Sequence, residues 1–127
     1  MTVSHSAAVR TSLATAILTA IDADVGAGNL VYRTAGDVAV ATLAFSAPAG
    51  VVAGAVLTFN SISEDSDAAG NASPIAKATL EDNSGDIVCI ANNVTLTGNG
   101  GDIELSSLTV ANGDTVQTSS LTYTAPV

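Results

Sequence analysis

Ile75-Ala76-Lys77-Ala78-Thr79-Leu80-Glu81-Asp82-Asn83-Ser84-Gly85-Asp86-Ile87-Val88-Cys89-Ile90-Ala91 is the stretch whose reading decides the fold. In its first seven residues Ala76, Ala78 and Leu80 fall on one side and Lys77, Thr79 and Glu81 on the other. That period of two is a strand with one wet face. Asn83-Ser84-Gly85 follows with residues that tolerate positive φ, so the chain turns back on itself. Residues 87–90 are apolar throughout, which predicts a strand that is central in its sheet or covered by a helix. Together these segments read as a β-hairpin.

Outward from this hairpin, short runs of Val, Ile, Leu and Thr are separated by Gly, Asn, Asp and Ser, the pattern of strands and turns. Strands are expected over residues 29–34, 38–45, 55–62, 74–81, 87–91, 102–106 and 115–124, with a shorter one at 94–97. Ile103 and Leu105 are expected to point inward. Gly98-Asn99-Gly100-Gly101 and Asn112-Gly113 mark further turns. Residues 46–54 and 63–73 read as longer exposed loops, the usual seat of binding surfaces on a rigid sandwich. No helical pattern separates the strands, which favours an antiparallel β-sandwich, jelly-roll-like, over a parallel α/β sheet.

The first part of the chain has a different period. Val9, Leu13, Ile17 and Ile21 recur every fourth residue with Ala16 and Ala20 beside them, predicting one N-terminal helix over about residues 6–22. Ser4 or Ser6 can cap its start. Asp22 and Asp24 oppose the helix dipole at its end, so the last turn is expected to fray. Gly26-Ala27-Gly28 then reads as a hinge; it follows a helix rather than a strand, which excludes a dinucleotide fingerprint.

With 127 residues the chain has room for one domain, residues 1–127, able to bury roughly two thirds of its unfolded surface. Its hydrophobic content of 47% comes from Ala, Val, Leu and Ile, with no Trp, two Phe and two Tyr, which disfavours a deep aromatic pocket. Twelve acidic residues against Arg10, Arg33 and Lys77 give a net charge of −9. Three cations cannot neutralise a run of phosphates, so neither nucleic acid nor an anionic membrane is an expected partner. No window approaches a membrane span, and the N-terminus lacks the pattern of a secretory signal.

Few residues point to chemistry. A histidine-dependent triad would have to use His5, which is expected to be solvated in the N-terminal segment. Cys89, the single cysteine, reads as a buried, inert core residue. Glu64, Asp65 and Asp67 form one acidic cluster and Glu81, Asp82 and Asp86 another. Clustered carboxylates suit calcium or a glycosidase carboxylate pair, but the spacing fits no known calcium loop and no sugar-stacking aromatic lies beside them. Asn71-Ala72-Ser73 and Asn93-Val94-Thr95 match the glycosylation sequon and are discounted for a cytosolic product. No catalytic, cofactor-binding or metal-ligating residue is assigned, and no enzymatic activity is expected.

Ile17-Leu18-Thr19-Ala20-Ile21-Asp22-Ala23, the glycine link, Leu30-Val31-Tyr32 and Ala41-Thr42-Leu43-Ala44-Phe45-Ser46-Ala47-Pro48, with Gly113-Asp114 before the last Thr/Ser-rich strand, resemble small virion proteins of tailed bacteriophages. The resemblance extends over most of the chain. It implies a capsid decoration or cement protein, made in the host cytoplasm and carried on the virion. Such a protein sits as a dimer or trimer on the outer capsid face and clamps subunits of the major capsid protein. Met1 to Ser6 is then a candidate arm, and residues 115–124 a candidate edge strand. The alternative is a carbohydrate-binding or adhesin-like module of a head fibre or tail; a small enzyme is the third reading.

Overall fold

A computed structural model of the chain describes residues 3–127, so the first two residues of the candidate arm lie outside the description. Helix α1 (Ala7–Ile21) is followed by nine strands: β1 (Asn29–Thr34), β2 (Ala39–Ala44), β3 (Gly50–Ala53), β4 (Val56–Phe59), β5 (Ile75–Glu81), β6 (Ile87–Ala91), β7 (Val94–Leu96), β8 (Ile103–Leu105) and β9 (Thr122–Thr124). A four-stranded antiparallel sheet runs β2-β1-β5-β6 and a three-stranded antiparallel sheet β3-β4-β9. The protein is thus mainly β and sandwich-like, with one N-terminal helix. The short strands β7 and β8 pair in parallel, Val94 opposite Ile103.

One hydrophobic cluster joins the layers, with Leu30, Tyr32 and Leu43 from the larger sheet and Leu57 and Phe59 from the smaller. Phe45 and Phe59 stack at 4.8 Å between ring centroids. The helix contacts β3, β4 and β6, and so closes the side of the sandwich between the two sheets. Its inward line is Ala14, Ile17, Leu18 and Ile21, whereas Val9 is 45% exposed. The every-fourth-residue series does not hold one face, because four residues turn about 400° and the line drifts about 40° per step. Ser6 is the N-cap, its hydroxyl accepting from the Val9 N–H.

Contrary to the expected fraying, the helix runs to its C-cap at Asp22, whose carboxylate accepts the Ala49 backbone N–H at 3.1 Å. Nor is the glycine link a hinge. Gly28 is buried so closely that a Cβ there would run into the Glu81 carbonyl oxygen and come within 2.8 Å of the Ile21 side chain. Asn83 also ties the link to the β5–β6 turn, its amide donating to the Ala27 carbonyl at 2.9 Å.

Two further expectations, for residues 46–54 and 115–124, are corrected. Residues 46–54 are not all loop: Gly50–Ala53 is strand β3, paired with β4 from Gly50↔Phe59 to Ala53↔Val56. The loop over 63–73 is irregular and largely exposed, as expected, and is tied to residues 110–116 by the backbone bonds Asn71 N–H to Val110, Ala68 N–H to Asp114, and a two-way bridge between Asp65 and Val116. The long strand expected at 115–124 consists only of that bridge and β9. Residues 106–121 form an irregular strap, held by scattered backbone bonds and the Asp65–Val116 bridge.

Candidate functional site

Strand β5 lies between β1 and β6, and its position overturns the expected wet face. Thr79 is buried and Glu81 is only 6% exposed. Arg33 on β1 reaches across them. Its Nε donates to the Thr79 hydroxyl at 3.1 Å and its guanidinium pairs with Glu81 at 2.9 Å, while the Thr79 hydroxyl also donates to Glu81. A long cationic side chain laid over a polar row removes that row from water while satisfying its acceptors. Lys77 pairs with Asp37 at 2.6 Å and holds the Asp37 carboxyl below the ordinary carboxylate range.

Strand β6 is the edge of its sheet rather than central, and the helix contacts it without covering its outward side chains. Its pairing puts Leu80 opposite Cys89 and Thr79 opposite Ile90, and directly opposed residues share a face. Cys89 and Ala91 therefore meet the core, while Ile90 joins the outer row Val31–Thr79–Ile90. Ile87 is 54% and Ile90 48% exposed. Cys89 is only half-buried, with burial raising its thiol pKa. Among the described residues no strand pairs with the outer edge of β6.

At the opposite edge, β2 is protected. The Thr42 N–H donates to the Asp65 carboxylate at 2.8 Å, the Ser63 N–H to the Ala44 carbonyl, and the Ala69 N–H to the Val40 carbonyl.

A second surface feature is a cleft of about 660 Å³ beside β8 and the strap, lined by apolar Ile75, Val110 and Val116 and by the hydroxyl side chains of Thr118, Ser119 and Ser120. The buried Tyr32 hydroxyl is hydrogen-bonded to the Thr118 hydroxyl at 2.6 Å, fixing the strap to the large sheet, and burial raises the Tyr32 pKa. Sequence reading missed this cleft, because strap and β8 come together through long-range pairings that leave no periodic signature.

The carboxylates of the two acidic clusters hold the fold instead. Asp65 accepts from Thr42 and Asp67. Asp82 accepts backbone N–H groups of Asp86 at 2.9 Å and Ser84 at 3.0 Å, with the Ser84 hydroxyl added. These donors, Asp86 foremost, lower its pKa despite partial desolvation. No group of three or more His, Cys, Asp or Glu side chains among the described residues is arranged to hold a metal ion. His5 is exposed, with Nδ1 3.2 Å from the Val127 oxygen, and Arg10 donates to the Ala125 and Pro126 carbonyls, so residues 5–10 lie beside residues 125–127. Asn71 of the first sequon is engaged with the strap, donating to the Leu108 carbonyl at 2.8 Å and accepting from the Val110 N–H at 2.9 Å.

The fold and its surfaces define a mainly β protein with an open strand edge and a hydroxyl-lined cleft. No family model matches the chain, and neither the curated proteins nor the solved structures contain a significant match.

Proposed function

We propose that this protein is a structural component of a tailed-bacteriophage virion, a decoration or cement protein that binds the major capsid protein on the outer face of the shell and stabilises it. It acts by binding, as a homo-oligomer, and not by catalysis. The observation that carries the reading is the β6 edge, unpaired among the described residues, uncharged and carrying exposed Ile87 and Ile90. Such an edge offers backbone donors and acceptors together with apolar side chains, the material of strand-addition contacts. The sequence resemblance to small phage virion proteins supports the same reading. Contacts of this kind, repeated by the symmetry of a shell, stabilise the assembled state by mass action without any one being strong.

The test is sedimentation of the purified protein with and without expanded capsids of the encoding phage. Saturable co-sedimentation at a ratio fixed by the lattice is the expected result. A folded protein that stays in the supernatant overturns the reading for that capsid.

The cleft favours a second reading, a carbohydrate-binding or adhesin-like module of a head fibre or tail, because its hydroxyl groups suit a polyol ligand. Glycan binding lost on replacing Thr118 and Ser120 would establish it.

A further inference from the structure

We propose that the cleft between β8 and the strap is a slot that takes up an extended, lysine- or arginine-bearing segment of a partner protein as an added strand, hydrogen-bonded along both of its edges. The inference goes beyond the β6 edge and rests on the capsid-binding reading only for its setting. Its basis is the way the cleft is lined. Consecutive residues line each wall, 101–107 on one side and 114–122 on the other. The face of a strand presents alternate residues, so an unbroken run on each wall means that the backbone edge itself borders the cleft.

Hydrogen bonding agrees on both walls. On β8 the Ile103 N–H donates to the Asn93 carbonyl, and the Leu105 carbonyl accepts from the Thr97 N–H. Both residues thus bond β7, and in a parallel ladder the residue between them turns its N–H and C=O the other way. Glu104 therefore offers its backbone at the outer edge of β8, where no strand pairs among the described residues. On the strap, Val116 gives both its backbone groups to Asp65, so its neighbours Thr115 and Gln117 direct theirs to the opposite side. Among the described residues, Thr115 and residues 117–120 have no backbone partner. The outer edges of β3, β6 and β9 can each bond an incoming strand on one side only, whereas the slot bonds it on two.

Charge selects the occupant. Asp102, Glu104 and Asp114 stand along the walls, with no cationic side chain in the lining. A second copy does not supply the complement, because Arg33 and Lys77 are held in ion pairs and Arg10 donates to the Ala125 and Pro126 carbonyls. A basic segment of another protein meets complementary charge in the slot and offsets part of the net charge of −9.

The experiment titrates the full chain into a fluorescent, end-capped seven-residue peptide that alternates lysine and valine, read by anisotropy. Saturable binding is expected, weakened about tenfold or more when glutamate replaces lysine in the peptide. Asp102→Asn combined with Glu104→Gln, both exposed sites, is expected to weaken it about fivefold or more. N-methylation of either alternate set of peptide amides should cost about tenfold, because each set bonds a different wall. Bound peptide should slow amide exchange at Glu104 and residues 117–120 and leave residues 87–91 unchanged. Should the double variant fail to fold, the methylated peptides and the exchange pattern of the wild type decide the matter.

Absence of saturable binding, equal binding of the glutamate peptide, or protection at residues 87–91 in place of the slot overturns the proposal. Tolerance of one methylated set means a single edge and overturns it too. Maltohexaose that protects the same residues while the peptide does not assigns the cleft to a polyol instead. Capsid co-sedimentation without peptide binding defeats the slot and leaves the cement reading standing. Peptide binding by a protein that ignores capsids does the reverse.

Discussion

Tyr32 sits where the large sheet meets the strap. Its ring is fully buried in the core and its hydroxyl reaches Thr118. Removing the hydroxyl in Tyr32→Phe leaves the ring packing intact and deletes one part-buried hydrogen bond, so stability falls by about 1 kcal/mol. The same residue sets an alkaline limit. Its folded pKa is raised above the ordinary value of 10.0, chiefly by burial, so the unfolded chain loses the proton first. The associated stability is intact below pH 10 and is lost as pH rises through the folded value. Urea titrations of wild type and Tyr32→Phe from neutral pH to beyond pH 10 should therefore converge, the variant losing less.

Asp82 sets the opposite limit. Its folded pKa is lowered by the backbone donors of the turn, Asp86 foremost. Its contribution is present above the unfolded value of 3.8 and is lost as pH falls through the folded one. Asp82→Ala is expected to lower the neutral-pH melting temperature and to flatten the acid limb of the stability profile, both read by circular dichroism.

Among the elements, the strap depends most on single residues. Asn71 makes two side-chain bonds to it, to the Leu108 carbonyl and the Val110 N–H. Asn71→Ala strands the Val110 N–H, while the Leu108 carbonyl keeps the Ile75 N–H, and is expected to cost about 1–3 kcal/mol. Amide exchange at Val110 should speed up more than at Leu57 in the core; equal acceleration at both would show that the strap and core open as one unit.

The strap also shows why some elements were legible and others were not. The β5–β6 hairpin could be read because alternation and turn chemistry are local, and the helix because its apolar recurrence is local too. The edge position of β6 could not, since sheet order is set by which distant strand arrives at each side of β5. Strand β3 was hidden because Gly50-Val51-Val52-Ala53, bracketed by Ala-Pro-Ala and Gly54, carries the small residues of a loop. The expected wet face of β5 failed for a related reason, because nothing near Thr79 in sequence announces that Arg33 will lie across it. Of the candidate site, the apolar run of β6 was visible, but its exposure and the cleft were not.

For the whole molecule, the net charge of −9 governs the response to salt. Two like charges about 20 Å apart repel by roughly 0.2 kcal/mol in unscreened water. Summed over the excess carboxylates of so small a protein, the repulsion reaches several kcal/mol at low ionic strength, part of which persists in the unfolded chain. Opposing it, among the described residues, are two ion pairs. Lys77–Asp37 is largely solvent-facing on the aspartate side and contributes little, and Arg33–Glu81 is shielded enough that salt reaches it weakly. Repulsion therefore dominates the salt dependence. Raising ionic strength from about 10 mM to 150 mM shortens the screening length from about 30 Å to 8 Å, and should stabilise the fold by about 1–2 kcal/mol, measured as a rise in urea midpoint at unchanged slope. The same screening should tighten the proposed homo-oligomer, because bringing two such molecules together adds repulsion that only ions or a basic partner can relieve. A urea midpoint that falls over this range would mean that Arg33–Glu81 outweighs the whole acidic surface, and would shift the electrostatic centre of the molecule from its net charge to the outer face of one sheet.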